Sequence, residues 1–437
     1  MTTCRIAALA ARRVWDSRGR PTIEAEAVLA DGSIGRGIAP AGASRGSREA
    51  IDARDGGERL GGLDVQHALA TVRERIAPRL VGSELAGPLA ADRALLELDD
   101  SPTKSALGGN AMVAVSIACA QAFAAAHREP LYRLLAGDGP VSVPLPEIQI
   151  FGGGAHAGRR IDIQDLMVIA RSATSVEEAL EMTAEVYLAA GRLMAGRGAL
   201  SGVADEGGLW PAFATNEEAI ETLLRSIEAA GYLPGDEVAI SLDIAASEFR
   251  TEHGYRLALE SRSIDSDAMI ALLGGWLDRY PICSIEDPLA EDDIEGMRRF
   301  TRAFGARVQI VGDDFLVTNA AFVEAAALQG ACNAVLIKPN QVGTLSEALD
   351  ALETARRMRW AAIVSARSGE TEDTTICDLA IGWNARQLKV GSITRGERTA
   401  KWNALIRAEQ ALGTAAFTRG DWLPVSTRRP DASRAKA

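Results

Sequence analysis

The chain is poor in cysteine, has no excess of positive charge and contains no long uninterrupted apolar run. Its five cysteines, Cys4, Cys119, Cys283, Cys332 and Cys377, are scattered, and none form a CxxC pair. That spacing argues against a disulfide framework or a zinc site and makes reduced thiols the expectation. Lys and Arg number 47 against 59 Asp and Glu, for a formal net charge of −12. A surface this acidic repels nucleic acid and anionic membrane at long range, so neither is an expected partner. An anionic substrate then has to be held by local cations, either metal ions or clustered Lys and Arg. No apolar run reaches ~18 residues, and the N-terminus lacks a basic-then-apolar signal pattern. A cytoplasmic location with no membrane span is therefore expected.

What is present is material for a large core, since 47% of the 437 residues are hydrophobic and 24% are charged. At one domain per ~150 residues the length suggests about three domains, but α/β barrels alone often reach ~250. One barrel plus a smaller domain fits equally well. Residues Thr22 to Val28 alternate as a strand does, with a turn at Asp31-Gly32. A Gly/Ser-rich loop follows from Ala41 to Ser47, and an Ala-rich stretch from Asn110 to about His127 reads as a buried helix. The prolines of Val143-Pro144-Leu145-Pro146 suggest a boundary.

Beyond that point short apolar runs alternate with amphipathic helical patterns, the rhythm of βα units around a mainly parallel sheet. The runs share one feature. Ile161 to Met167 carries Asp165, and Leu200 to Val203 leads into Asp205-Glu206. The runs ending at Leu242, Ile285 and Gly312 are followed by Asp243, Glu286 and Asp313. Those ending at Ile337 and Leu388 are followed by Lys338 and Lys389, and Ala361 to Ser365 leads to Arg367 and Ser368. Charge inside a buried parallel strand is costly. Charges gathered at the C-terminal ends of such strands face one rim, where barrel active sites lie.

Asp243, Glu286 and Asp313 on successive units would repel one another without a divalent cation among them. Hard oxygen ligands at this density suit magnesium. Lys338 and Lys389 are the candidate bases, because a second ammonium and a metal nearby should depress a lysine toward neutral pH. A lysine facing a metal-bound carboxylate is the arrangement that removes a proton α to that carboxylate. Glu206 and Asp165 are candidate acids for the leaving group. His156, after Gly152-Gly153-Gly154, is a lid candidate, and Ser44 is placed to reach a second metal or to close over substrate. Arg367 and Ser368 offer donors suited to a phosphate or phosphonate.

From about residue 5 to about 413 the chain resembles the enolase (phosphopyruvate hydratase) family. The likeness rests on Asp16-Ser17-Arg18-Gly19, Gly42-Ala43-Ser44, Asp205-Glu206-Gly207-Gly208 and Ser284-Ile285-Glu286-Asp287-Pro288. Gly312-Asp313-Asp314, Asn340-Gln341-Val342-Gly343-Thr344 and Arg367-Ser368-Gly369-Glu370-Thr371 extend it. It implies an α/β fold, a modified (β/α)8 TIM-type barrel with an N-terminal α+β lid domain. We place the lid at 1–137, the barrel at 138–418 and a disordered tail at 419–437. The resemblance implies dehydration of 2-phosphoglycerate to phosphoenolpyruvate with two Mg2+ ions in a homodimer. It makes Asp243, Glu286 and Asp313 ligands of one magnesium and Ser44 a ligand of the other. Lys338 becomes the base, Glu206 the acid, Lys389 the carboxylate-binding lysine, Arg367 and Ser368 the phosphate binders, and His156 the mobile-loop histidine.

The departures are informative. Asp165 stands where the family has Glu, Ala366 where it has His, and Arg45 where the lid has Thr. Asp165 shortens an acid by one methylene, Ala366 cannot hydrogen-bond a leaving hydroxyl, and Arg45 adds a cation expected near the substrate. Loss of a positioned acid–base partner typically costs ~10²–10⁴ in rate. The expected activity is a slower 2-phosphoglycerate dehydration. The alternatives are an enolase-derived enzyme of phosphonate metabolism, similar to carboxyphosphonoenolpyruvate synthase, and a non-catalytic binding paralogue. The expected ligand is a small phosphorylated or phosphonylated carboxylic acid.

Overall fold

The computed structural model describes residues 3–426. Its N-terminal part is a meander of β1 (Cys4–Trp15), β2 (Pro21–Leu29) and β3 (Ile34–Ile38), with β4 (Glu84–Leu85) on the far edge of β1. β2 and β3 pair antiparallel across the Asp31-Gly32 turn, where Gly32 takes φ +89°. The helix Gly109–His127 lies on β2 and β3, buried along most of its length. Gly35 and Gly37 allow this, because a Cβ at either would strike the helix backbone at Ala118 or Ala122. This helix is the stretch that the sequence marks as buried. It is long and apolar enough to cross a membrane, although Ser116 and Gln121 interrupt the run. Its burial makes it the core element of this domain.

The barrel closes from β5 (Leu145–Gly152), β6 (Asp165–Ala170) and β7 (Val238–Asp243), then, after a small sheet of β8 (Arg250–Thr251), β9 (Gly254–Leu257) and β10 (Arg262–Ile264), from β11 (Ile282–Glu286), β12 (Gln309–Gly312), β13 (Ala334–Ile337), β14 (Ala361–Ser365) and β15 (Gln387–Ser392). The eight barrel strands are buried almost throughout, as strands covered on both faces must be. Ser175, Thr215, Asp265, Asp293, Asn319 and Thr344 each accept a backbone N–H at a helix start, which supports the βα rhythm. The fold is a modified (β/α)8 barrel with an N-terminal α+β domain.

Three readings of the sequence change. The Val143–Pro146 stretch read as a boundary runs into a strand, Leu145–Gly152, that the sequence pattern did not show. Pro146 is tolerated because pairing with β6 begins only at Ile148, so its missing N–H breaks no bond on that side. Leu200 to Val203 is not a strand: only Val203 forms an isolated bridge, to Leu209, and Leu200 and Val203 remain exposed. The expected tail begins with residues that are bound: Leu423 is buried, Arg171 donates to its carbonyl at 2.8 Å, and the Ser426 N–H donates to the Ile282 carbonyl at 2.9 Å. An apolar anchor inside a polar stretch explains this; 427–437 lie outside the described residues.

Candidate active site

β6 runs antiparallel to both β5 and β7, while the other neighbouring pairs are parallel. Asp165 opens β6, so its reversed direction brings the start of that strand to the rim where the others end. There Asp165 pairs in register with Asp243, which pairs with Glu286. Asp313 and Lys338 follow β12 and β13, and Lys389 stands in β15 opposite Ser365. Lys338 is extended (φ −127°, ψ 101°) ahead of Pro339, the conformation a following proline favours.

A pocket of about 300 Å3 opens at this rim. Ser44, His156, Asp165, Glu206, Asp243, Lys338, Arg367, Ser368 and Lys389 line it, together with Gln164 and Ala366. Glu286 and Asp313 join through the lysines. Lys389 Nζ lies 2.7 Å from Glu286 Oε2, 2.9 Å from Asp243 Oδ2 and 3.5 Å from Asp165 Oδ2. Lys338 Nζ is hydrogen-bonded to Asp313 Oδ2.

These contacts set the charges. Burial alone would lower the Lys338 ammonium, but Asp313 outweighs it and raises it above its ordinary value. Arg367 and Lys389 do act to lower it, as expected of nearby cations, but the Asp313 carboxylate is its nearest partner and prevails. Lys389 is likewise raised, since Asp243, Glu286 and Asp165 overcome its burial. Burial and the adjacent Asp243 carboxylate push Glu286 well above the usual range. Burial would also raise Asp165, but His156 and Lys389 hold it below its ordinary value.

The donor set fits a hard cation. Glu286 Oε1, Asp165 Oδ2 and Gln164 Oε1 are buried oxygens with no hydrogen-bond partner. Asp287, Asp313 and Asp314 form one tight group of carboxylate oxygens, and His156, Asp165 and Glu206 another group of possible ligands. Crowded carboxylates of this kind stay ionised together only with a compensating charge.

The side of the pocket that carries Arg367 and Ser368 is built across the two domains. Arg367 donates to Glu49 Oε2 at 3.0 Å and to the Ser44 carbonyl at 2.9 Å. The Ala43 N–H donates to Ser368 Oγ at 3.2 Å, and Ala41 and Gly369 exchange two backbone bonds. His156 is buried, with Nδ1 2.9 Å from Asp165 Oδ1 and Nε2 2.9 Å from Ser368 Oγ. Its Nε2 is also 3.6 Å from Glu206 Oε1. Burial lowers the His156 imidazole, but Asp165 and Glu206 win and carry it up to about 9.

Arg45 departs from expectation. It is absent from the pocket wall, and its guanidinium is paired with the buried Asp52 carboxylate, which Arg54 shares at 3.1 Å. A buried acid seven residues along the chain offers it a better partner than open solvent. Sequence reasoning missed Gln164, which donates to Asp243 Oδ2 at 3.1 Å, and Gln341, which donates to Asp313 Oδ1 at 3.0 Å. Gln164 had a signal, as a polar residue inside an apolar run beside Asp165. The fully buried Arg398 had none.

Comparison with known proteins agrees with this geometry. Residues 6–135 match the family described as "Enolase, N-terminal domain", and 140–424 match "Enolase, C-terminal TIM barrel domain". The chain is 47% identical over 415 residues to "Enolase 1" of Desulfitobacterium hafniense (strain Y51), covering 94% of this chain and 95% of that relative.

Proposed function

The chain belongs to the enolase family and is a phosphopyruvate hydratase-like lyase, and from that premise we propose that it dehydrates 2-phosphoglycerate to phosphoenolpyruvate with two magnesium ions. The observation that carries the reading is a single pocket lined by an amine, Lys338, and by the acid pair Glu206 and Asp165, with Arg367 and Ser368 on its anion side.

Lys338 takes the proton from C2 of the substrate. The C2–C3 double bond forms as the C3–O bond breaks, and Glu206 supplies the proton that makes the departing hydroxide water. Arg367 holds the phosphate through its guanidinium. Ser368 Oγ already accepts from His156 and from the Ala43 N–H, so its own O–H is left to donate to an anion. Lys389 meets the substrate carboxylate. Asp243, Glu286 and Asp313 would hold one magnesium and Ser44 the second. When bound, the metal supplies positive charge for the carboxylate that becomes electron-rich and takes up the Asp313 charge now holding Lys338 protonated.

The test is the rise of enol absorbance when purified protein, Mg2+ and 2-phosphoglycerate are mixed, and its loss on chelation. Absence of turnover with every metal ligand intact would refute the reading. Ala366 leaves only a methyl group on the pocket wall, but Arg45, the cation that the phosphonate alternative would use, lies outside it. Turnover of a phosphonate-bearing donor, with none of 2-phosphoglycerate, would select that alternative. We extend the proposal to a homodimer in solution, which sedimentation decides.

A further inference from the structure

The acid side of the pocket converges on a residue the mechanism has not used. Gln149 stands on β5, fully buried, one strand away from Asp165. Its Nε2 donates to Asp165 Oδ1, and its Oε1 accepts the Gly208 N–H at 2.8 Å. We infer that Gln149 is a positioning residue that ties the two acid-side carboxylates, Asp165 and Glu206, into one fixed arrangement. The inference rests on the reading of that pair given above.

Asp165 has two oxygens with different surroundings. Oδ1 accepts from both Gln149 and His156, whereas Oδ2 has no hydrogen-bond partner and stands 3.5 Å from Lys389 Nζ. Two donors on one oxygen fix the rotation of the carboxylate and leave Oδ2 toward the lysine. On the other side, Gly208 lies two residues past Glu206. The Glu206 carbonyl is held by the Ser392 N–H at 2.9 Å and the Gly207 carbonyl by Thr394 Oγ1 at 2.7 Å. Those contacts anchor the turn to β15 and the segment after it; Gln149 ties its backbone to Asp165, while His156 stands between the two carboxylates, 2.9 Å from Asp165 and 3.6 Å from Glu206.

A carboxamide meets both demands without having to take up a proton. It donates from nitrogen to a carboxylate while accepting at oxygen from a backbone N–H, and only one orientation of the amide satisfies the pair. The surroundings are cut to admit it. A Cβ on Gly208 would collide with the Gln149 carboxamide, and a Cβ on Gly152 would stand 3.2 Å from its oxygen and closer still to Ala204. Two glycines on facing segments therefore clear the slot that the amide fills.

The test compares wild type with Gln149→Met, which keeps length but removes both polar atoms, and with the isosteric Gln149→Glu, which guards against misfolding. Turnover of 2-phosphoglycerate with Mg2+ is measured alongside hydrogen–deuterium exchange of the free proteins. For Gln149→Met, kcat should fall about 10²-fold with KM within about 3-fold, the signature of a displaced catalytic group. Exchange in residues 204–209 should accelerate at least about 10-fold while β13 is unchanged. For Gln149→Glu, kcat relative to wild type should rise as pH is lowered. A neutral carboxyl can again donate to Asp165 and accept from Gly208, whereas an ionised one repels Asp165. Unchanged exchange in Gln149→Met, or kcat within about 3-fold of wild type in both variants, overturns the inference. If wild type fails to turn over 2-phosphoglycerate, the functional reading falls, and the exchange measurement still decides the clamp because it needs no substrate.

Discussion

His156 Nε2 lies 2.9 Å from Ser368 Oγ, which joins the glycine loop of the barrel to the residue that follows Arg367 after β14. With Asp165 on the other ring nitrogen, the constellation resembles a Ser–His–Asp triad. Its electrostatics exclude that role. A base must be neutral to accept a proton, and His156 is carried up to about 9 by Asp165 and Glu206 against its burial. The imidazolium instead donates at both nitrogens and fixes Asp165 and Ser368 at once.

A pH dependence of stability follows. The His156 pKa is higher in the folded state, about 9, than its ordinary 6.5. Folding therefore gains from its protonation; the gain is complete below about 6.5 and lost as pH rises through about 9. The difference is on the order of 3 kcal/mol. His156→Gln should be less stable than wild type at pH 6, and the gap should narrow by pH 9.5 in denaturant titrations without metal. A gap of equal size at both pH values would count against a charged His156.

Ala366 offers a gain-of-function test. It is buried in the pocket wall, next to Arg367, and offers no polar atom to a leaving hydroxyl. Ala366→His should raise 2-phosphoglycerate dehydration about 10-fold, part of the ~10²–10⁴ a positioned acid–base group supplies. A rate that stays level or drops shows that the missing histidine is not what limits this site.

The strand ends were the most legible part of the sequence, because a charge closing a buried apolar run has few reasons to be there. Asp243, Glu286, Asp313, Lys338 and Lys389 all emerged that way. β5 was hidden because Pro144 just before it and Pro146 within it read as a boundary, beside polar interior residues. Inside the barrel those residues are satisfied: Ser241 and Gln387 both donate to Glu147, and Gln149 accepts the Gly208 N–H at 2.8 Å. The direction of β6 depends on how two strands connect in space, which local composition does not record. Local pattern was equally silent on Arg45, since choosing between Asp52 and the pocket needs the three-dimensional positions of both.

Metal affinity should depend on a residue that touches no metal. Gln341 donates to Asp313 Oδ1 at 3.0 Å and to Glu49 Oε1 at 3.1 Å, while its own oxygen accepts from the Thr318 hydroxyl at 2.6 Å. Outer partners of this kind typically contribute 10–100-fold in metal affinity. Gln341→Met should weaken Mg2+ binding by about that factor in calorimetry while thermal unfolding of the metal-free protein moves only a few degrees. Magnesium affinity indistinguishable from wild type would remove Asp313, as oriented here, from the ligand set.

Arg398 carries the last prediction. It is fully buried, and its guanidinium donates to the carbonyls of Arg367 at 2.7 Å and Val390 at 2.8 Å, and also to that of Ser368. One rigid fork thus gathers the backbone of Arg367, of Ser368 and of the residue after Lys389. Lysine keeps the charge but presents it as a point, so it cannot serve three carbonyls in a plane. Arg398→Lys should lose about 2–4 kcal/mol of stability, as expected when buried acceptors lose their partners. On the proposed reading, in which Arg367 and Ser368 hold the phosphate, KM for 2-phosphoglycerate should rise more than kcat falls. A variant that loses stability but keeps both constants would show that Arg398 holds the core alone and leaves the anion side to Glu49 and the Ala43 N–H.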